Sequence, residues 1–507
     1  MDVNSKPVIQ KVSELTKNLE SILHFAGQSN NIDFFISSLT EFNPFNTTEE
    51  VREWLRQMNE IEFFSVEKVP LSELKDWEFS DTTGDLQHNS GGFFSIAGLE
   101  VRTNIGPVKH WTQPIIVQPE IGVLGIITKK IDGILYLLMQ AKPEPGNINT
   151  FQLSPTVQAT RSNYSQLHGG KATHYLDYFL EEDSVEILVD QLQSEQGGRF
   201  YRKRNRNTIV RVADDHDIEL LPNFRWVTLG QLKRLMLADN TVNMDTRSVV
   251  SSIEYDAEQK SSLEPVDENA LLECLNSHEI VSGPVSRQDV KLMVSAHGNT
   301  EAAITFNELL RRISKEKFRY DLQTKQISLR DLVDWRQDNH RIYHEQNKYF
   351  SVIGVRVKAA NREVQRWDQP IIEQVDPGIV AFIGCELKGV LHLLVQLKME
   401  SGNMDLLELA PTVQCITGSY ENEFLPLFVN HVDGTLPAHS VFDVFQSEEG
   451  GRFFKEANRN IFIIEDSSFV DKVSDSRYLW MTIKQLKQFL CFNNFLNVEA
   501  RSVLALI

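Results

Sequence analysis

Residues suited to holding an anionic ligand and moving protons on it gather in two stretches of this sequence. The first is QAKPEPGNINTFQLSPTVQATRSNYSQLHGGK, from Gln140 to Lys171. A predicted strand ends on Gln140-Ala141-Lys142 and passes into a loop with Pro143, Pro145 and Gly146, then into Leu153-Ser154-Pro155-Thr156-Val157-Gln158. Such a loop can hold a ligand against the strand end; alternatively, Pro and Gly simply turn the chain. Tyr164 and His168 can exchange protons, and Gly169-Gly170 let backbone N–H groups approach an anion. A surface histidine on a loop is the plainer reading. The second stretch is Gln193-Ser194-Glu195-Gln196-Gly197-Gly198-Arg199-Phe200, followed by the basic run Arg202 to Asn207. The guanidinium forks there, Arg204 and Arg206 among them, suit a pyrophosphate, although a solvated basic face has the same composition. Trp111 and Tyr164 offer rings for stacking on a nucleobase; core packing is the commoner use of such rings.

These stretches belong to a unit that the chain contains twice. Trp111-Thr112-Gln113-Pro114-Ile115-Ile116 returns 256 residues on as Trp367-Asp368-Gln369-Pro370-Ile371-Ile372, and Pro155-Thr156-Val157-Gln158 returns at the same offset as Pro411-Thr412-Val413-Gln414. The Gln193-Ser194-Glu195 and Gly197-Gly198-Arg199-Phe200 strings return 253 residues on as Gln446-Ser447-Glu448 and Gly450-Gly451-Arg452-Phe453. So steady an offset marks a duplicated domain, not a short-repeat solenoid. Lys142, Glu144, Gly146 and Asn147 have counterparts in Lys398, Glu400, Gly402 and Asn403, but the second copy has no His-Gly-Gly. Its basic run is also weaker, although Asn458, Arg459 and Asn460 are kept.

The elements that must position these groups read as α+β, with mixed sheets and helices packed on them. Residues 1–48 read as a helical N-terminal segment, and Thr48 as the cap of a helix from Glu49 to Glu60. Strands are predicted over Phe93 to Val101, Ile115 to Val117, Gly122 to Thr128 and Gly133 to Ala141, with a hairpin turn at Lys130-Ile131-Asp132-Gly133. Helices are predicted from Thr173 to Phe179, near Asp190, and from Leu229 to Leu237 with Thr228 as cap; Thr208 to Val212 reads as a late strand. The first module then spans 49–250 and is the expected catalytic half. Residues 251–303 form a linker or insertion with short helices over 269–277 and 287–295. The second module, 304–507, is the expected scaffold or remnant site.

Bulk properties narrow the partners. A chain of 507 residues suits two domains, and a net charge of −19 argues against a nucleic-acid or anionic-membrane surface. The four cysteines, Cys274, Cys385, Cys415 and Cys491, show no zinc spacing and fit a reducing cytoplasm. No apolar run is long enough to span a membrane, and Met1 to Lys6 starts no secretory signal, so a soluble cytoplasmic protein is expected.

Taken together, FFSIAGLEV, WTQPII, QAKPEPGN, LSPTVQAT, SNY, HGG and QSEQGGRF with the following RNRN resemble the NDP-hexose 2,3-dehydratase family, from about residue 50 to 507. The resemblance implies two Nudix-like modules per subunit, a homodimer, and a nucleotide-linked 4-keto-6-deoxyglucose as substrate, usually the dTDP sugar. It implies a lyase that removes the C2 hydroxyl as water and leaves a 3,4-diketo sugar for a separate NADPH-dependent 3-ketoreductase. The carboxylate helix by which a Nudix hydrolase holds divalent metal is missing after Leu153-Ser154-Pro155-Thr156 and again after Leu409-Ala410-Pro411-Thr412. No metal or redox cofactor is therefore expected. The elimination needs a base at C3, an acid at the C2 oxygen and a stabilised enolate. The implied catalytic set is Lys142, near the ketone or a phosphate, with Tyr164, His168 or Glu195 as the acid–base pair. Arg199, Arg204 and Arg206 are implied for the pyrophosphate, and Thr156, Gln158, Ser162 and Asn163 for sugar hydroxyls. Trp111, Gln140, Gln193, Gly169 and Gly170 complete the expected substrate site. A Nudix-type nucleotide-sugar hydrolase and a non-catalytic nucleotide-sugar-binding protein are the alternatives.

Overall fold

Each half of the duplication builds a seven-stranded mixed sheet. The computed structural model describes residues 5–23, 30–160, 173–181, 184–253, 265–298, 300–360, 364–419, 426–434 and 440–507. The first large sheet runs Glu186–Ser194, Arg204–Arg211, Gly122–Ile131, Ile134–Pro143, Phe224–Thr228, with Phe151–Ser154 and Val157–Ala159 added at the strand ends. Arg204–Arg211 and Gly122–Ile131 are parallel, and the other pairings are antiparallel. The central strand, GVLGIITKKI, is apolar for most of its length because both of its faces are buried there. Asp132 and Gly133, at φ of 51° and 87°, close the hairpin that the Asp-Gly pair predicts. The second half repeats the order with Ser440–Ser447, Ala457–Glu465, Ile379–Leu387, Val390–Lys398 and Tyr478–Met481.

Two five-stranded sheets cross the boundary between the halves. Strand Phe64–Val69 of the first half pairs with Phe350–Ala359 of the second, and Leu322–Ile327 of the second pairs with Ser95–Thr103 of the first. The small sheets share one apolar cluster that includes Trp77, Phe94, Trp335, Phe350 and the edge-on rings of Phe200 and Phe453.

A reciprocal clasp joins the large sheets. Gly146 N donates to Gly450 O at 2.7 Å and Lys455 N donates back to Gly146 O at 2.7 Å. In the mirrored pair, Gly402 N donates to Gly197 O at 2.6 Å and Arg202 N to Gly402 O at 2.7 Å. The Pro-Gly loop of one half thus lies on the Gly-Gly loop of the other. A Cβ on Gly146 would stand 1.6 Å from Phe453 O, and one on Gly402 would stand 1.8 Å from Phe200 O, so only glycine permits the approach. Behind the clasp, the fully buried Arg247 on helix Met244–Ser251 reaches Ser447 O at 2.6 Å and Gln446 Oε1 at 3.1 Å. Arg501, its counterpart on helix Val498–Leu504, donates to Ser194 O at 2.5 Å.

The helical preludes of the two halves are alike in their bonding. Ser37, on helix Asn30–Leu39, donates to Leu135 O and accepts from Leu229 N; Ser295, on helix Arg287–His297, donates to Leu391 O and accepts from Ile483 N. Helix Leu229–Met236 starts with the expected Thr228 cap, closed by Gln231 as a capping box.

Four local expectations change. Thr47, not Thr48, caps helix Thr48–Ile61, because its hydroxyl accepts from Glu50 N while the Glu50 carboxylate returns to Thr47 N. Residues near Asp190 form strand Glu186–Ser194, since pairing with Arg204–Arg211 outweighs local helix preference. Phe93 sits at φ 67° ahead of strand Ser95–Thr103, so it and Phe94 precede the strand. The predicted helix Thr173 to Phe179 is the single turn Asp177–Leu180. Among the described residues no helix is long and apolar enough to cross a membrane.

Replacing Gly146 or Gly402 by Ala is expected to cost about 3 kcal/mol or more, because the added carbon meets backbone that cannot step aside. Gly92→Ala, whose Cβ meets only Ser90 Oγ at 3.4 Å, is expected to stay within about 0.5 kcal/mol. Urea denaturation of the three variants checks this.

Candidate active site

A cavity of about 700 Å³ opens where the first large sheet meets the clasp. Its floor comes from the first half: Lys142 at the end of strand Ile134–Pro143, Glu144 just after it, Gln158, Lys203, Asn205, and Asp245 in the first turn of helix Met244–Ser251. One wall comes from the second half, with Glu449 and Arg452 on the Gly-Gly loop and Arg366, Trp367, Asp368 and Gln369 on strand Arg366–Gln374. Trp77, His88, Phe93 and Phe94 form an aromatic rim.

The clasp explains this composite wall. Gln369 Nε2 donates to Gly451 O at 2.8 Å, tying the second half's strand to its Gly-Gly loop. The Arg452 guanidinium lies 4.0 Å over the Phe94 ring and donates to Gln118 Oε1 at 3.2 Å. Asp368, ion-paired with Arg356 at 2.7 Å, accepts from Lys75 N at 2.9 Å. On the floor, Gln158 Nε2 donates to Glu144 Oε1 at 2.8 Å, and Lys142 Nζ stands 3.6 Å from the same oxygen. Asn205 accepts from Gly122 N at 3.0 Å and donates to Glu195 Oε1 at 2.6 Å, while Lys203 donates to Glu120 O.

Burial sets the charge states. The Asp245 carboxyl is held well above the usual range by burial and then by the nearby Glu449, Glu195 and Glu144. Glu449 is pushed up to about 8, again by burial and then by Glu195, against the pull of Arg452 and Lys203. Burial also raises Glu195 and lowers Lys203. The cavity therefore holds carboxyls raised toward neutral pH beside Lys and Arg groups, which suits general acid–base work.

Of the sequence-predicted residues, Lys142 and Gln158 line the cavity. Glu195 lies buried behind Asn205 and does not line it. Thr156 is engaged by Ile127 N and Leu138 O, Gln193 by Leu490 O, and Arg206 by Asp190 at 2.7 Å. Gln140 faces Ser154 and Phe224 across strand pairings, and Arg204 begins its strand opposite Ser194. Trp111 bonds Gln113 at 2.9 Å outside the cavity, and its counterpart Trp367 lines the cavity instead. Ser162, Asn163, Tyr164, His168, Gly169 and Gly170 lie outside the described residues.

Arg199 lines a smaller cavity of about 160 Å³ in the second half, with Lys398, Glu400, Gln414, Asn458 and Glu499. It lies 4.2 Å over Phe350, as Arg452 lies over Phe94. The two cavities are built alike, each closed by the other half's Gly-Gly loop. The residues not singled out from sequence are Lys203, Asp245, Glu449 and Arg452. For Glu449 the signal was Gln196 standing at its place in the otherwise matching loop.

Burial also pushes Glu408 and Glu456 up to about 8. A carboxyl raised in the folded state stabilises fully below its unfolded value of 4.5, and that stability is lost as pH rises through the folded value. Lys233, pushed down to about 8 by burial, acts above that window. The melting temperature is thus expected to be highest near pH 5 and to fall by several degrees by pH 8, as thermal scans across that range will show.

Comparison with known proteins agrees with this architecture. A family model described as NDP-hexose 2,3-dehydratase matches residues 48–253 and again 306–507. The chain is 40% identical over 489 residues to a dTDP-4-dehydro-6-deoxy-alpha-D-glucopyranose 2,3-dehydratase of Saccharopolyspora spinosa, covering 94% of this chain and 95% of the relative. Similar relatives of the same name occur in Amycolatopsis orientalis, 40% identical over 91% of this chain and 90% of its own length, and in Streptomyces violaceoruber, 38% identical over 90% and 95%. The chain belongs to the NDP-hexose 2,3-dehydratase family.

Proposed function

We propose that this protein dehydrates dTDP-4-keto-6-deoxy-D-glucose, removing the C2 hydroxyl to give a 3,4-diketo-2,6-dideoxy sugar nucleotide in deoxysugar biosynthesis. The observation that carries the reading is its likeness, over nine-tenths of its length, to relatives named for that activity. The larger cavity supports it: about 700 Å³ suits a small-molecule ligand, the rim is aromatic and the floor is charged. In this reading the thymine lies among the rim rings and the sugar reaches the floor. Lys142 faces the 4-ketone and steadies the enolate oxygen. Gln158 holds a sugar hydroxyl, and Glu195 orients Asn205. Tyr164, His168, Ser162, Asn163, Gly169 and Gly170 keep their proposed places around the sugar and pyrophosphate on sequence grounds.

The finer architecture is part of the same proposal. Each large mixed sheet is a Nudix-like module, with 49–250 catalytic and 304–507 acting mainly as scaffold. Segments 1–48 and 251–303 are the equivalent helical preludes, as the matching Ser37 and Ser295 bonds support. The assembly is a homodimer in the cytoplasm, where the four cysteine thiols stay reduced. A 3,4-diketone is reactive, so an NADPH-dependent 3-ketoreductase is the natural next enzyme.

The test incubates the protein with dTDP-4-keto-6-deoxyglucose in deuterated buffer, with 3-ketoreductase and NADPH trapping the product. A 2-deoxy sugar carrying deuterium at C2 is expected. Release of thymidine monophosphate would replace this reading by hydrolysis, and tight binding of unchanged substrate would replace it by a binding role.

A further inference from the structure

We propose that Asp245 and Glu449, one carboxyl from each half of the duplication, form the acid–base couple of the elimination. The proposal rests on the dehydratase reading of the larger cavity.

Three observations carry it. Asp245 is 4% exposed and lines the cavity, yet no described residue donates a hydrogen bond to its carboxyl. A buried carboxyl without a partner in the chain is costly unless it is protonated or a ligand completes it. Glu449 likewise lines the cavity with no hydrogen bond to its side chain from any described residue. By contrast, Glu144 already accepts from Gln158, and Glu195 sits behind Asn205.

The third observation is the comparison of the two cavities. Lys142, Glu144, Gln158, Asn205 and Arg452 have the same residue types facing the smaller cavity, as Lys398, Glu400, Gln414, Asn458 and Arg199. Among the charged positions, three differ. Glu449 is matched by Gln196, Lys203 by Glu456, and Asp245 by the longer Glu499. Glu449 is thus a wall carboxyl whose place in the smaller cavity is taken by an amide.

The neighbours divide the roles. Glu449 is raised by burial, Glu195 and Glu144, but Arg452 and Lys203 pull it back toward the carboxylate, so it is the more readily ionised of the two and serves as the base. Asp245 has Glu449, Glu195 and Glu144 around it, which favour its protonated form and make it the acid. Glu449 takes the proton from C3, and the C3–H electrons form the enolate on the C4 oxygen. The enolate collapses to a C2–C3 double bond as the C2–O bond breaks, and Asp245 gives its proton to the leaving hydroxyl, which departs as water. The Asp245 carboxylate then takes the enol proton from the C3 hydroxyl while Glu449 returns a proton to C2. Both carboxyls end as they began, and no redox partner is required.

The experiment follows C3 proton exchange and dehydration separately, by NMR in deuterated buffer. Wild type is run first: without turnover it is the dehydratase reading that fails, and with turnover the variants judge this proposal. Glu449→Gln is expected to lose both exchange and dehydration by roughly a hundredfold or more. Asp245→Asn is expected to keep exchange at C3 and lose dehydration by a similar factor. Binding of dTDP within about threefold of wild type shows that each variant has folded. Formate, which fits the space left in Glu449→Ala, is expected to restore exchange. Glu499→Gln in the smaller cavity is expected to leave turnover unchanged. Wild-type turnover in either amide variant, equal loss in Glu499→Gln, or no formate rescue of a dTDP-binding Glu449→Ala would overturn the assignment.

Discussion

The backbone contact between a Pro-Gly loop of one half and a Gly-Gly loop of the other is the constraint on which this structure turns. Its hydrogen bonds are ordinary, each worth about 1 kcal/mol net. The stringency comes from what cannot be accommodated. Gly146 and Gly402 sit against carbonyl oxygens at distances that leave no room for a side chain. Arg247 and Arg501 are fully buried with their guanidinium groups on the opposite half, and stranding such a charge costs about 3–5 kcal/mol. The clasp therefore permits one alignment of the halves, and that alignment carries Glu449 and Arg452 over the first half's sheet.

The same parts make two unequal chambers. Phe93, Ala159 and Thr160 border the larger one, where Tyr349, Cys415 and Ile416 border the smaller. Bulkier side chains, with Glu456 in place of Lys203, leave the second chamber smaller and more acidic. The net charge of the whole chain says little about either, since each floor mixes buried acids with Lys and Arg at close range.

Local features were legible where a short string decides them. The Asp132-Gly133 hairpin, the Thr228 cap and the duplication needed only short strings of sequence. The first half's strand ends were near enough to bring Lys142 and Gln158 to the cavity. What could not be read was which half completes which site. The two copies carry nearly the same strings, so pairing within a half and pairing across halves look identical until strand Phe64–Val69 is seen on Phe350–Ala359. That is why Trp111 stood as the ring candidate where the cavity has Trp367. The kinship of the helical preludes was hidden for another reason. Ser37 and Ser295 make the same two backbone bonds within helices that otherwise share little sequence.

Strand exchange has a consequence for how such a protein can change. In a dimer of two identical single-module chains, every substitution lands in both chambers at once, and losing a carboxyl from one means losing it from both. Here each module's chamber wall is supplied by the other, but the two are written in separate stretches of one chain. Position 196 can carry Gln while position 449 carries Glu. The peptide link therefore releases the chambers from symmetry while the clasp keeps them mechanically bound. One chamber is free to drift into a brace for the other.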